Sequence, residues 1–310
     1  MVMDGLFLAF TNSLTALAIC MAVGYVSRKF GLINDTHTVG MTNLLVRVAT
    51  PATMFMALYR SEFSRALLLE CLATIAITSV IYILGGYLGL LVAKIMKASP
   101  GERQNWQFGV AYGNVGFMGI PIITAVFGYE GLIYVAMALT AFNVLSFTVG
   151  VRMYDNAPRD FSFKGLLLRN PAIPAVVVGS VFFVSGIRLP YAILGGVSLI
   201  GGITSPMSMI LLGVILARQS LKKAFTDVRM LPALGARLIV VPLAALPILA
   251  WIIPNPIMFY VIVTLMAMPP AALTAIFAEQ YNGDSFTAAK FVVVGTILCG
   301  ITVPLISLLL

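Results

Sequence analysis

Residues 131–151 run for 21 positions without one charged side chain. At about 1.5 Å of rise per residue, a helix of that length matches the roughly 30 Å hydrocarbon core of a bilayer. Counting this one, the chain holds ten such apolar runs, at residues 6–27, 39–59, 67–93, 105–127, 131–151, 171–187, 191–217, 230–253, 257–278 and 286–309. Composition supports the same solvent. Soluble domains carry about 25% charged residues; here the figure is 10%, with 60% hydrophobic residues and a mean hydropathy of +1.03. A chain this apolar cannot shield itself from water. The pattern predicts an all-α integral membrane protein of ten helices joined by short loops, with no separate soluble domain.

Charge order sets the expected orientation. Asp4 precedes the first run and Arg28 and Lys29 follow it, the reverse of a cleavable signal peptide. With the N-terminus outside, the inner loops hold Arg28, Lys29, Lys94, Lys97, Arg103, Arg152, Arg159, Lys164, Arg169, Arg218, Lys222, Lys223 and Arg229, and the outer loops only Arg60, Arg65 and Arg188. Thirteen against three is a strong positive-inside bias. It accounts for most of the net charge of +8, so the basic residues argue for topology and not for nucleic-acid binding. Ten crossings place both termini on the outer side of the membrane. The three cysteines, Cys20, Cys71 and Cys299, all fall in apolar runs without metal-ligand spacing and read as small packing residues.

A faint repeat runs through the chain. Thr50-Pro51-Ala52-Thr53-Met54 in the second run is matched by Ser205-Pro206-Met207-Ser208-Met209 in the seventh, 155 positions later. The fourth run has Pro121 and the ninth Pro269-Pro270, the latter ending 149 positions on. Corresponding runs are five spans apart, so the copies cross the membrane in opposite senses. Two inverted five-helix repeats form a transporter architecture, here residues 1–153 and 171–310 about a short cytoplasmic loop at 154–170.

The stretch Gly113-Asn114-Val115-Gly116-Phe117-Met118-Gly119-Ile120-Pro121-Ile122 sits inside the fourth run. Proline lacks an amide hydrogen and clashes with the carbonyl four residues back. Free backbone groups in hydrocarbon cost several kcal/mol each unless a neighbour, ligand or cavity satisfies them. A break here is expected where the backbone lines a site. Pro269 lies about 18 Å into the ninth run, near mid-membrane. Each half-helix that begins after a break presents unpaired amides and a partial positive charge, and two such starts facing one cavity favour an anion. Asn114 and Asn143 add intramembrane amides. The plainer alternative is a small-residue packing stripe with a proline kink.

The 113–122 stretch resembles the fourth-helix motif of the auxin efflux carrier family, which includes the PIN-type carriers and many bacterial organic-acid carriers. Arg169-Asn170-Pro171, Ser205-Pro206 with Leu212-Gly213 and Ala217, and Pro270 with Phe277-Ala278, Tyr281-Asn282 and Pro304 are similar to later family stretches, in order. The resemblance covers nearly the whole chain. It implies a scaffold of helices 1, 2, 6 and 7, often dimeric, and a transport domain of helices 3–5 and 8–10. Helices 4 and 9 would cross at their breaks with substrate beside them, Asn114 matching the family's site asparagine and Asn143 placed like one in helix 5. The candidate substrate-binding residues are Gly113, Asn114, Gly116, Pro121, Ile122, Asn143, Thr53, Pro269 and Pro270. Plant members carry an acid in helix 3. Here residues 72–80 have none, and Glu70 lies towards the outer edge, which weakens the case for auxin itself. The long cytoplasmic loop of many plant members is missing too, as in a compact bacterial member.

Arg47 and Arg237 lie about eight residues inside their runs, counted from the inner side. Intramembrane arginines suggest an anion contact or an inner gate; snorkelling to the headgroups is the simpler reading at this depth. Lys290 is placed to face Asp284, and His37, the only histidine, sits in a loop. Together these features predict secondary-active transport of a small organic anion, such as a mono- or dicarboxylate, by alternating access. No cofactor is called for, and the coupling ion, H+ or Na+, is not specified. A channel or solute sensor on the same scaffold is the alternative. An intramembrane enzyme would need an acidic pair, a nucleophile with its base, or a metal site, and the runs offer none. No P-loop is present.

Overall fold

A computed structural model describes residues 2–157, 170–218 and 228–310. Arg159, Lys164, Arg169, Lys222 and Lys223, the Asp4 side chain and most of the 154–170 loop lie outside the described residues. The described chain is helical, and its only β-pairing is an isolated antiparallel bridge between Gly113 and Pro270. Its helices are α1 (Val2–Lys29), α2 (Asp35–Tyr59), α3 (Arg65–Ile95), α4 (Pro100–Ala111), α5 (Val115–Met153), α6 (Ala172–Ser185), α7 (Tyr191–Arg218), α8 (Val228–Ile252), α9 (Pro256–Met266), α10 (Leu273–Gln280) and α11 (Ser285–Ser307).

Six of these, α2, α3, α5, α7, α8 and α11, are long and apolar enough to cross a bilayer, and α6 and α9 are shorter apolar helices. Two of the ten sequence runs are broken in the structure. The fourth run is split, α4 ending at Ala111 and α5 beginning at Val115; the ninth is split between Met266 and Leu273. In α5, 39 residues would span about 58 Å if straight, but Gly128 breaks them with φ 58° and ψ −145°, a backbone region open to glycine. The chain folds back there: the position of a Gly131 Cβ lies 2.7 Å from the Ile123 side chain, eight residues earlier.

Local chemistry fixes the helix starts. Asn34 caps α2 through the His37 amide, and His37 Nδ1 accepts in return from the Asn34 amide, so the lone histidine completes a capping box. Ser99 and Glu102 form another on α4, with Pro100 in the first turn. Asn255 accepts from the Ile257 and Met258 amides to start α9. Asp284 caps α11 through the Thr287 amide.

Among the described residues four π-turns interrupt the helices, at Leu45–Ala49, Val115–Gly119, Ser146–Gly150 and Ala236–Val240. Three end two residues before a proline. Thr50, Ile120 and Val241 donate to the carbonyls of Leu45, Val115 and Ala236, five residues back, and Pro51, Pro121 and Pro242 follow. Widening the turn by one residue accommodates a proline that would clash with the carbonyl four back. Arg47, Gly116 and Arg237 each lie in one of these turns.

Small residues let the helices approach closely. A Cβ on Gly24 of α1 would lie 2.0 Å from the Ile210 carbonyl oxygen of α7, and one on Gly213 of α7 would lie 1.9 Å from that of Met21. Helix α2 packs against α6 and α7; α3 packs against α4 and α5; α11 packs against α4 and α10. Many apolar side chains face outward, including Leu69, Leu84, Val181 and Ile248, as lipid contact demands. Tyr191 and Trp251 are strongly exposed near helix ends, where amphipathic rings suit a membrane interface.

Candidate functional site

The two breaks lie against each other. The Asn114 amide donates to the Pro269 carbonyl at 2.8 Å, and the Ala271 amide donates to the Tyr112 carbonyl at 2.9 Å. Two broken helices thus satisfy part of each other's backbone through the short bridge at Gly113 and Pro270. Pro269 supplies a carbonyl here, while Pro270 packs beside Gly109 and Gly295.

Arg237 serves the crossing from behind. It is 0% exposed. Its Nε donates to the Met268 carbonyl at 2.8 Å, Nη1 to Val110 at 3.2 Å and Ala111 at 3.4 Å, and Nη2 to Leu265 at 3.3 Å. These carbonyls end α4 and α9, where unpaired oxygens carry partial negative charge. The guanidinium neutralises two helix C-termini at once and does not snorkel. Run position gave its depth but not its face, and the facing carbonyls lie up to 127 residues away in sequence. Gly113 makes room for it: a Cβ there would fall 1.8 Å from Arg237 Nη2.

With the carbonyl ends capped, the opposite ends face a cavity of about 320 Å³. Asn114, Gly116, Asn143 and Arg47 line it, with Phe117 and Phe142 as apolar wall and Ala271 to Leu273 at the start of α10. Asn114 Oδ1 accepts from the Phe117 amide at 3.2 Å, which fixes its orientation; Nδ2 is buried without a partner. Asn170, beside the start of α6, also lines the cavity with a buried and unpartnered Nδ2. Arg47 makes no hydrogen bond or ion pair among the described residues. The amides of Ala272 and Leu273 have no backbone acceptor. The two buried unpartnered side-chain atoms here, Asn114 Nδ2 and Asn170 Nδ2, are donors, as are the Arg47 guanidinium and the two amides, so these groups suit acceptors on a ligand, while the Asn143 amide can both donate and accept.

Three candidate residues lie elsewhere. Thr53 donates to or accepts from Thr204 Oγ1 at 2.8 Å and reaches the Gly201 carbonyl at 2.9 Å, tying α2 to α7. Pro121 is buried in the helix just after the π-turn. Ile122 faces a second cavity, of about 250 Å³, with Met118, Met209, Thr15 and Thr296. Neighbouring residues of one π-turn therefore face different cavities, Phe117 the first and Met118 the second. Glu70 accepts from Tyr134 Oη and from Asn255 Nδ2, joining α3, α5 and the start of α9. Lys290 lies over the Phe286 ring, and Asp284 is occupied as the α11 cap.

Sequence reasoning singled out Arg47 and Asn114 but passed over Asn170, noticed only within a motif. A polar amide beside Pro171 at the mouth of an apolar run was the available signal.

The profile of the family described as membrane transport protein matches residues 9–164 and 160–307. An uncharacterized transporter of Methanothermobacter thermautotrophicus is 25% identical over 307 residues, covering 98% of this chain and all of that protein. An uncharacterized transporter of Methanocaldococcus jannaschii is 26% identical over 286 residues, covering 90% and 91%. Both relatives are archaeal, so the compact form is not peculiar to bacteria. The chain is a multi-pass membrane protein and belongs to the membrane transport protein family, that of the auxin efflux carriers its 113–122 motif resembles.

Proposed function

We propose that this protein is a secondary-active carrier for a small organic anion, such as a mono- or dicarboxylate. The observation that carries the reading is the unpartnered, buried Asn114 Nδ2 in a cavity that Asn170, with a second buried and unpartnered Nδ2, and Arg47 also line. A carboxylate there would accept from Asn114 and from the first amides of α10, a helix start that favours negative charge. Arg47 and Asn170 face the same space from α2 and the edge of α6.

Alternating access is the mechanism proposed. The cavities on either side of the π-turn at Val115–Gly119 support it, one lined by Asn114 and Phe117 and the other by Met118 and Met209. Helices α3, α4, α5 and α8 to α11 would move as a transport domain against a scaffold of α1, α2, α6 and α7, through which two copies would pair. In this reading ten crossings form two inverted five-helix repeats, with both termini outside the cytoplasmic membrane and the 154–170 loop inside. Coupling would draw on H+, Na+ or the substrate gradient.

Counterflow in proteoliposomes tests the proposal. Unlabelled carboxylate trapped inside should accelerate entry of the labelled one. Entry that is linear in concentration and indifferent to trapped solute would show a pore instead.

A further inference from the structure

Arg60 caps the C-terminal end of α2, remote from the crossing cavity. That cavity draws its α2 wall from residues between Thr42 and Thr50, and Arg60 comes thirteen residues after Arg47, about 20 Å along a helix. Side-chain contacts tie this end of α2 to α7 and to the segment between α6 and α7. The Leu189 amide donates to Tyr59 Oη at 2.9 Å, and Arg188 Nη1 donates to the Tyr59 carbonyl at 3.4 Å. Arg60 Nη2 donates to Ser198 Oγ of α7 at 3.0 Å.

The same guanidinium reaches across to α5. Its central carbon lies 4.0 Å from the centroid of the Tyr129 ring, within the range of a cation–π contact. Tyr129 follows Gly128, the residue that breaks α5 with φ 58°, so the ring stands where the chain folds back. Both partners are exposed. Among the described residues Arg60 has no ion pair, although Glu62 and Glu130 are close to the two partners in sequence. Arg60 is thus held to α7 by a hydrogen bond and touches α5 through the face of a ring.

We propose that Arg60 on Tyr129 is a latch: it joins the two moving bodies of the carrier at the end of α2 away from the crossing cavity, and it parts when the protein opens at that end. The inference rests on the alternating-access reading, in which α2, α6 and α7 belong to the scaffold and α5 to the transport domain. In that reading α1 begins, and α2 and α11 end, on one side of the membrane, so Thr11, Thr15 and Pro304 of the second cavity lie towards the latch. The chemistry suits a contact that must break in every cycle. Ser198 keeps the guanidinium in place on the scaffold, and an exposed cation–π pair changes the ratio of open to closed protein by only about two- to fivefold.

The test measures the distance across the latch in the full chain in detergent, by double electron–electron resonance between spin labels at Tyr191→Cys of α7 and Glu130→Cys of α5. Both positions are exposed. Cys20→Ser removes the partly exposed native thiol, and Cys71 and Cys299 are buried. Arg60→Gln and Tyr129→Leu should each raise the ratio of long to short distances about two- to fivefold, and the double variant should add nothing to either. Tyr129→Phe keeps the ring and Arg60→Lys keeps the cation, so both should retain most of the short distance. Arg65→Gln, at the start of α3, controls for surface charge and should change nothing. A distance distribution unmoved by Arg60→Gln and Tyr129→Leu, or Tyr129→Phe as disruptive as Tyr129→Leu, would overturn the latch. The readout needs no transport, so it stands apart from counterflow. Shifted distances without counterflow would overturn the carrier and keep the latch between two bodies; counterflow with unmoved distances would keep the carrier and overturn the latch.

Discussion

Replacing Arg237 separates architecture from binding. Arg237→Met removes a guanidinium that four backbone carbonyls accept from, at 2.8 to 3.4 Å, in a residue that is 0% exposed. Hydrogen bonds to charged groups contribute about 1.5–3 kcal/mol each, so a plain sum would reach about 6–12 kcal/mol. That sum overstates the loss, because the wild type bears the desolvation of a buried cation that methionine does not. Breaking a buried charge arrangement costs about 3–5 kcal/mol, and that is the magnitude expected. Gly113→Ala should act through the same group: its Cβ would fall 1.8 Å from Nη2, and overpacking costs about 1–3 kcal/mol. Arg47→Gln should change stability by no more than about 0.5 kcal/mol, as for a surface substitution, while weakening ligand binding. The assay is unfolding of purified protein in detergent, followed by melting temperature and by denaturant titration. If Arg237→Met and Arg47→Gln unfold alike, the argument that Arg237 caps two broken helices fails.

Pro121→Ala should fold and should lower turnover, because a regained amide lets the turn at Val115–Gly119 tighten; wild-type transport in proteoliposomes would make Pro121 an incidental kink. Cysteines introduced at Asp4 and Leu310 should react with an impermeant reagent on intact cells, while one at Ala157 should not. Labelling of the two ends from opposite sides would defeat the inverted arrangement.

The motif around Asn114 marked the region of the break, but the chain breaks at 112–114, ahead of the proline expected to cause it, and Pro121 lies within α5 just after the π-turn. The apolar runs gave the helices, and Gly128 falls in the short gap between the fourth and fifth. What the linear pattern could not carry was partnership. Arg237 lies as deep as Arg47, but one meets the carbonyl ends of α4 and α9 and the other a cavity. That difference depends on which face of a π-turn meets a chain segment more than a hundred residues away. Thr53 was misplaced for a related reason: its repeated hydroxyl–proline motif marks the α2–α7 crossing, not the cavity. Proline position alone did not mark the π-turns: Pro51, Pro121 and Pro242 follow one, but Pro247 and Pro304 sit inside helices without one. Ile122 shared a motif with Asn114, yet the turn sends them to different cavities.

The most direct test of the account is the affinity of wild type and Asn114→Leu for a carboxylate and for its uncharged amide analogue. The carboxylate is the one giving the largest thermal shift in a screen, since a ligand of the folded state raises apparent stability. Wild type should prefer the carboxylate. Asn114→Leu removes the donor whose Nδ2 has no partner in the protein, which should cost about 1.5–3 kcal/mol, or roughly tenfold to somewhat over a hundredfold in affinity, and narrow the preference. Unchanged carboxylate affinity in a folded Asn114→Leu protein would place the anion somewhere other than the helix crossing.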